Sequence, residues 1–138
     1  MTKSFRRTTL TLLTSIALLG ACSTHYTLRP AERTLGAAAT LSLDKGSDGN
    51  TRLQLEAKYL PLPDSLGPSL KTYVVWVREA NEMRPVNVGQ LRIDSDRKGT
   101  LVSSTPFQKF DVFVTAERDG TVQTPSDYIV LSVAEAKP

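Results

Sequence analysis

Tyr73-Val74-Val75-Trp76-Val77, inside the segment Lys71 to Glu79, is apolar on both parities. Side chains along a strand alternate between its two faces, so such a run has both faces covered at least in part. β-Branched and aromatic residues suit a pleated surface, and five residues are too few for an ordinary helix. The run is therefore expected to be a central strand of a sheet. Tyr73 and Trp76 stand three apart and fall on opposite faces, so only one of them can lie wholly in the main core. Trp76, on the other face, is a candidate protein contact if exposed, because tryptophan is enriched where interfaces are anchored; more often such a residue is simply core or lies under a loop.

The segments on either side repeat the alternation in cleaner form. Downstream, Phe110, Val112, Val114 and Ala116 make an inward row and Asp111, Phe113, Thr115 and Glu117 an outward one. Phe113, apolar in that outward row, is the second candidate contact. Upstream, Ala37, Ala39, Leu41 and Leu43 share one parity, and so do Leu53, Leu55, Ala57 and Tyr59. Asp44 to Asn50 between them carries two glycines and several turn-forming side chains, which makes a hairpin with one wet face. Its two aspartates lack the regularly spaced oxygens and closing glutamate of a calcium loop. Leu60 to Pro68 holds three prolines and is expected to cross between sheets, its leucines plugging the end of the core. Val86 and Val88 share one parity and Leu91 and Ile93 the other, so a bulge or bend is expected at Gly89-Gln90. A short strand around Leu101-Val102 and a last one carrying Ile129, Leu131 and Val133 complete the pattern, with Ala134 to Pro138 as a tail. About seven strands separated by turn signals, and no convincing helix, describe an all-β antiparallel sandwich.

Several of these residues also carry a resemblance. Leu60-Pro61, Tyr73 to Val77, Gly89, Gly99, Val114-Thr115-Ala116-Glu117, Pro125 and Ile129-Val130-Leu131 stand in an order that resembles the extracytoplasmic C-terminal domain of the anti-sigma-K factor family. The resemblance spans Gly36 to Val133 and implies an immunoglobulin-like β-sandwich. The family's sigma-inhibiting activity resides in a cytoplasmic segment joined by a membrane helix, neither of which is read in this chain. The resemblance therefore brings no regulatory activity and no catalytic residues with it.

The N-terminus has a different character. Lys3, Arg6 and Arg7 precede an apolar run from Leu10 to Leu19, and Gly20-Ala21 follows, the order of an export signal. The run is too short to span a bilayer, which takes about 20 apolar residues. Leu19-Gly20-Ala21 ends on Cys22, the only cysteine, and this box resembles the lipobox of bacterial lipoproteins. The resemblance implies cleavage before Cys22, a diacylglyceryl group on its sulfur and an acyl chain on its new amino end. Stable anchoring takes more than one acyl chain, which that arrangement supplies. The chain then divides into a signal peptide at 1–21, a lipid-anchored tether at 22–35, with a first edge strand as an alternative reading of its end, and a sandwich domain at 36–138. Ser23, where an aspartate would favour the inner membrane, points to the periplasmic face of the outer membrane.

Charge and composition bound the function. Without Lys3, Arg6 and Arg7, the 17 basic residues fall to the number of the 14 acidic ones. A neutral chain with interspersed charges offers no basic stripe for nucleic acid. The one histidine, His25, lies in the expected tether and cannot serve a serine triad inside the domain. With no second histidine and an acylated cysteine, it is also a poor start for a metal site. No enzyme, no metal and no cofactor beyond the lipid on Cys22 is expected. The leading expectation is an envelope lipoprotein whose sandwich binds or scaffolds another envelope protein. The alternatives are a sensory lipoprotein acting on an envelope-stress or sigma-factor regulator, and a small-ligand or metal carrier.

Overall fold

The structure, a computed structural model, describes residues 22–138. The expected signal segment, with Leu19, Gly20 and Ala21, lies outside the described residues. Eight strands follow one another: β1 (Thr24–Pro30), β2 (Ala38–Lys45), β3 (Thr51–Lys58), β4 (Thr72–Glu79), β5 (Val86–Leu91), β6 (Lys98–Thr105), β7 (Phe110–Glu117) and β8 (Ile129–Ala136). A 3-10 turn at Glu32–Thr34 and a one-turn helix, α1 (Pro63–Leu66), complete the described elements. All pairings are antiparallel.

The strands form one ladder in the order β5-β4-β7-β8-β1-β2-β3-β6, folded over on itself into two layers. β1 is the fold line: Thr24 to Leu28 pair with β2, and Arg29 and Pro30 pair with β8. The two end strands approach each other on the far side. There Ser103 Oγ donates to the Val88 carbonyl at 2.7 Å, and Gly89 faces Leu101 so closely that a Cβ would lie 2.9 Å from its Cδ1. The sandwich is thus nearly closed. β3 pairs with β6 and β4 with β7, although neither pair is consecutive. That is the interlock of strands B with E and C with F in an immunoglobulin-like sandwich.

The main core lies between the layers. Leu41, Leu43, Leu53 and Leu55 come from one side, and Tyr73, Val75, Val77, Val112 and Val114 from the other. Each such aliphatic side chain contributes about 1.5–3 kcal/mol relative to exposure. Of the leucines in the proline-rich crossing, Leu60 is enclosed in this core and Leu66 packs against it, whereas Leu62 is 48% exposed; Leu70, just beyond the crossing, is also buried. Burial pushes the Tyr73 hydroxyl up to about 12. It donates to the Pro61 carbonyl at 2.8 Å, fixing the crossing loop to β4.

Several expectations need correction. Segment 22–35 is not a tether: β1 begins at Thr24 and is hydrogen-bonded on both sides, so the domain starts well before Gly36. Leu28 is the only buried apolar side chain there, which left a weak apolar signal. Eight strands replace about seven for the same reason. Tyr59 does not continue the inward row. Its φ of +61° turns the chain out of β3, the ring is 55% exposed, and Leu60 takes the core position. Ile129 faces outward because the β7–β8 register shifts between Val114 and Thr115, leaving Val130 and Leu131 both in the core. Residues 134–136 are not a tail but the end of β8, with Ala136 in the core. The bulge near Gly89 is present. Val75 pairs with Gly89 and Trp76 with Asn87, so Val88 is the extra residue, and Gly89 takes a φ of +145°.

Two outcomes test this core. Val75→Asp places an unpaired carboxylate between the layers, at a cost comparable to the stability of a domain this size, about 5–15 kcal/mol. Loss of the cooperative melt is expected by calorimetry. The Tyr73 hydroxyl titrates near 10 when free and about 12 in the fold, so its contribution is complete below pH 10 and is lost as pH rises toward 12. The stability gap between wild type and Tyr73→Phe should therefore shrink over that window in urea titrations.

Candidate functional site

β4 and β7 present Thr72, Val74, Trp76 and Arg78 against Glu117, Thr115, Phe113 and Asp111 on the outer face of the second layer. Such a face is normally wet. Here the β7–β8 connection, residues 118–128, crosses it as a strap. Asn87 of β5 holds the strap by donating from Nδ2 to the carbonyls of Gly120 and Val122, at 3.0 and 2.9 Å. Val122 is thereby set on Val74, Trp76 and Phe113, a second small core outside the first. The Trp76 and Phe113 rings lie 6.4 Å apart and 15° from parallel.

A polar chain runs beside these rings. Trp76 Nε1 donates to Thr115 Oγ1 at 2.8 Å, and Thr115 Oγ1 donates to Glu117 Oε1 at 2.5 Å. The Ser126 amide donates to the same oxygen at 2.7 Å, and Ser126 Oγ donates to the Ala116 carbonyl at 2.9 Å. The buried indole N–H, hydroxyl and carboxylate are all satisfied, and the strap is fastened at its far end. Polar groups enclosed in this way are costly unless partnered, so the chain holds a single arrangement.

The two expected contacts are thus placed differently from each other. Trp76 is wholly enclosed beneath the strap and touches no solvent. Phe113 is 9% exposed and reaches the surface in a shallow groove of about 250 Å³ with Arg78, Ile129, Ser132 and Ala134. The small residues Ser132 and Ala134 of β8 make the dip. At its border Arg78 donates to Asp111 Oδ2 at 2.7 Å, and Asp111 Oδ1 accepts from the Glu135 amide at 3.0 Å. The hydrogen bond from Arg78 holds the Asp111 carboxyl below its usual range, with the Glu135 amide adding to it. The Arg78 guanidinium also lies 6.0 Å from the Phe113 ring centre.

A second surface adjoins the groove through Ile129. Between the 3-10 turn and the start of β8 lies a cleft of about 250 Å³, lined by Ala31, Arg33, Leu66, Tyr128 and Ile129. The turn is fixed by Thr34 Oγ1, which donates to the Val130 carbonyl at 2.7 Å. Arg33 stacks 5.2 Å above the Tyr128 ring. Around the cleft, at the same end of the sandwich, Leu35, Tyr59, Leu62, Tyr128 and Ile129 are exposed, Leu35 by 73%. Sequence periodicity does not find them, because all stand at strand ends or outside strands. The remaining signal is a large apolar side chain beside a chain break, such as Leu35 before Gly36.

This arrangement can grip but is poorly shaped to enclose. Small-molecule sites usually measure about 300–1,000 Å³ and bury most of the ligand. An open cleft of this size that joins tyrosine and arginine, types that anchor protein interfaces, with leucine and the acidic Glu32 and Asp127 is closer to an interface with a polar rim than to a ligand cavity. The histidine is engaged elsewhere: His25 Nδ1 lies 2.8 Å from Ser42 Oγ on the outer face of the first layer. Among the described residues no group of three or more His, Cys, Asp or Glu could hold a metal ion, and Cys22 is free and exposed.

Thr115→Val tests the fastening of the strap. It leaves the indole N–H without a partner and removes one donor to Glu117, at a cost of about 1–3 kcal/mol. Trp76 is the only tryptophan. Its emission should therefore be shielded from acrylamide in the wild type and more readily quenched in the variant. A scan of the chain against models of known protein families finds no match, and comparison with curated proteins finds none either.

Proposed function

We propose that this chain is a bacterial envelope lipoprotein, held by acyl groups on Cys22 at the periplasmic face of the outer membrane. Its non-catalytic sandwich grips another envelope protein. The observation that carries this reading is the division of the molecule into two unlike ends. Cys22 is exposed two residues ahead of β1, and the cleft with Arg33 and Tyr128, with exposed Leu35 nearby, lies at the other end of that strand. Contact through this loop-borne surface is favoured over strand addition, because β5 and β6, the ladder's two end strands, face each other. The two clefts that meet at Ile129 are small, which favours a macromolecular partner over a ligand carried in them.

Two measurements test the two halves of the proposal. Cys22→Ala should move the protein from the membrane fraction or leave an uncut precursor, and the acyl mass should vanish from the N-terminal peptide. Photo-crosslinking on the anchored wild type should give a defined adduct that Leu35→Glu or Tyr128→Ala abolishes. Leu35 is 73% exposed, so Leu35→Glu should leave the melting temperature nearly constant, as surface substitutions usually stay within about 0.5 kcal/mol, whereas Tyr128→Ala also loses the Arg33 stack and should lower it modestly while the fold stays cooperative. An adduct unchanged by both variants would move the contact elsewhere.

A further inference from the structure

We infer that the end of the sandwich carrying Cys22 lies directly on the bilayer, and that the β4–β5 turn enters the lipid interface through Met83. The inference rests on the reading of Cys22 as the acylated residue and adds an orientation to it. Only Ser23 separates Cys22 from Thr24, which already pairs with Leu43. Two residues of extended chain reach about 7 Å. The acyl groups therefore enter the membrane within a strand's width of the domain, with no slack to lift it away.

Antiparallel pairing fixes which other parts share that end. The β2–β3 turn lies beside Thr24, and Gln108 Nε2 of the β6–β7 loop donates to the Gly49 carbonyl of that turn at 2.9 Å. The start of β7, Phe110, pairs with Glu79 at the end of β4 and with Ala136 at the end of β8. Tyr26 and Lys137 join β1 to the end of β8: the tyrosine hydroxyl donates to the Lys137 carbonyl at 2.9 Å and accepts from its amide at 3.1 Å. The turn from Ala80 to Pro85 therefore projects on the same side as Cys22. β4 is three strand spacings from β1 in the ladder, about 15 Å at the usual separation.

Met83 sits in that turn and is 94% exposed, with Val86 exposed behind it. A fully exposed methionine is a flexible apolar probe. Arg84 beside it has a long stem that can lie along lipid while its head meets phosphate. Lys45, Asp48, Glu82 and Arg84 carry both signs at this end, and Lys109 is paired with Glu135 at 2.8 Å. The contact is thus of the interfacial, apolar kind and needs no anionic lipid. The opposite end, with its cleft, points into the compartment.

The lipidated full chain in phosphatidylcholine vesicles tests this. The thioether blocks the only native thiol, so an environment-sensitive dye attached at Met83→Cys reports one position. Ser69→Cys, exposed in the β3–β4 connection at the far end, is the reference. The dye at position 83 should shift to the blue and lose several-fold in iodide quenching on vesicles, while the dye at 69 changes in neither. Equal quenching at the two positions on an acylated, vesicle-bound chain overturns the orientation and leaves the anchor standing. A mature chain without acyl groups on Cys22 overturns the anchor and the orientation together.

Discussion

β1 makes one body of two layers by changing partners halfway along. Its backbone groups bond to β2 over Thr24 to Leu28 and to β8 at Arg29 and Pro30. Buried backbone groups have to be paired, and a strand that leaves one sheet normally orphans several. Here the switch falls between Leu28 and Arg29; Pro30, just beyond it, has no N–H to lose, and the next amide, Ala31, donates to the Val130 carbonyl at 3.0 Å. The Tyr26 hydroxyl closes the lower end of the same seam by serving both backbone groups of Lys137. The packing of Leu41 and Leu55 against Val75 and Val114 depends on the layers being held in register along this seam.

The second constraint is that the outer face of β4 and β7 carries an apolar patch at its middle. Val74, Trp76 and Phe113 are covered by a mostly polar strap that packs one apolar side chain, Val122, on them, so hydrogen bonds at both ends hold it there. Asn87 supplies one end and Glu117 the other. The strap ends at Tyr128, so the element that hides Trp76 is also the one that builds the cleft wall opposite Arg33. Cover and cleft wall are thus parts of one loop.

Much of the fold was legible because strands with one wet face leave a period-two record. Ala37 to Ala57 and Phe110 to Ala116 point as their parity indicates, and Gly89 marked its bulge. The failures came where a different force set the position. Leu28 is one buried residue among polar neighbours, and hydrogen bonding rather than burial makes β1 a strand. Tyr59 kept its parity in the sequence, but a positive φ took it out of the row. Ile129 was displaced by a register shift that no alternation records. The strap was illegible for a similar reason: Asn87, Glu117 and Ser126 act through specific polar pairings between distant segments. Trp76 was correctly placed off the main core, yet which cover it had could be decided only in three dimensions. The exposed residues of the cleft left no period at all, since they belong to no strand interior.

The approach of β5 to β6 has a bearing on behaviour in a crowd. Terminal strands are the usual templates on which one β-protein recruits another into a growing ladder. In this sandwich the two terminal strands turn toward each other, and the Ser103 hydroxyl occupies one of the carbonyls that a neighbour would seek. Copies packed densely on a surface would therefore slide past one another rather than polymerise.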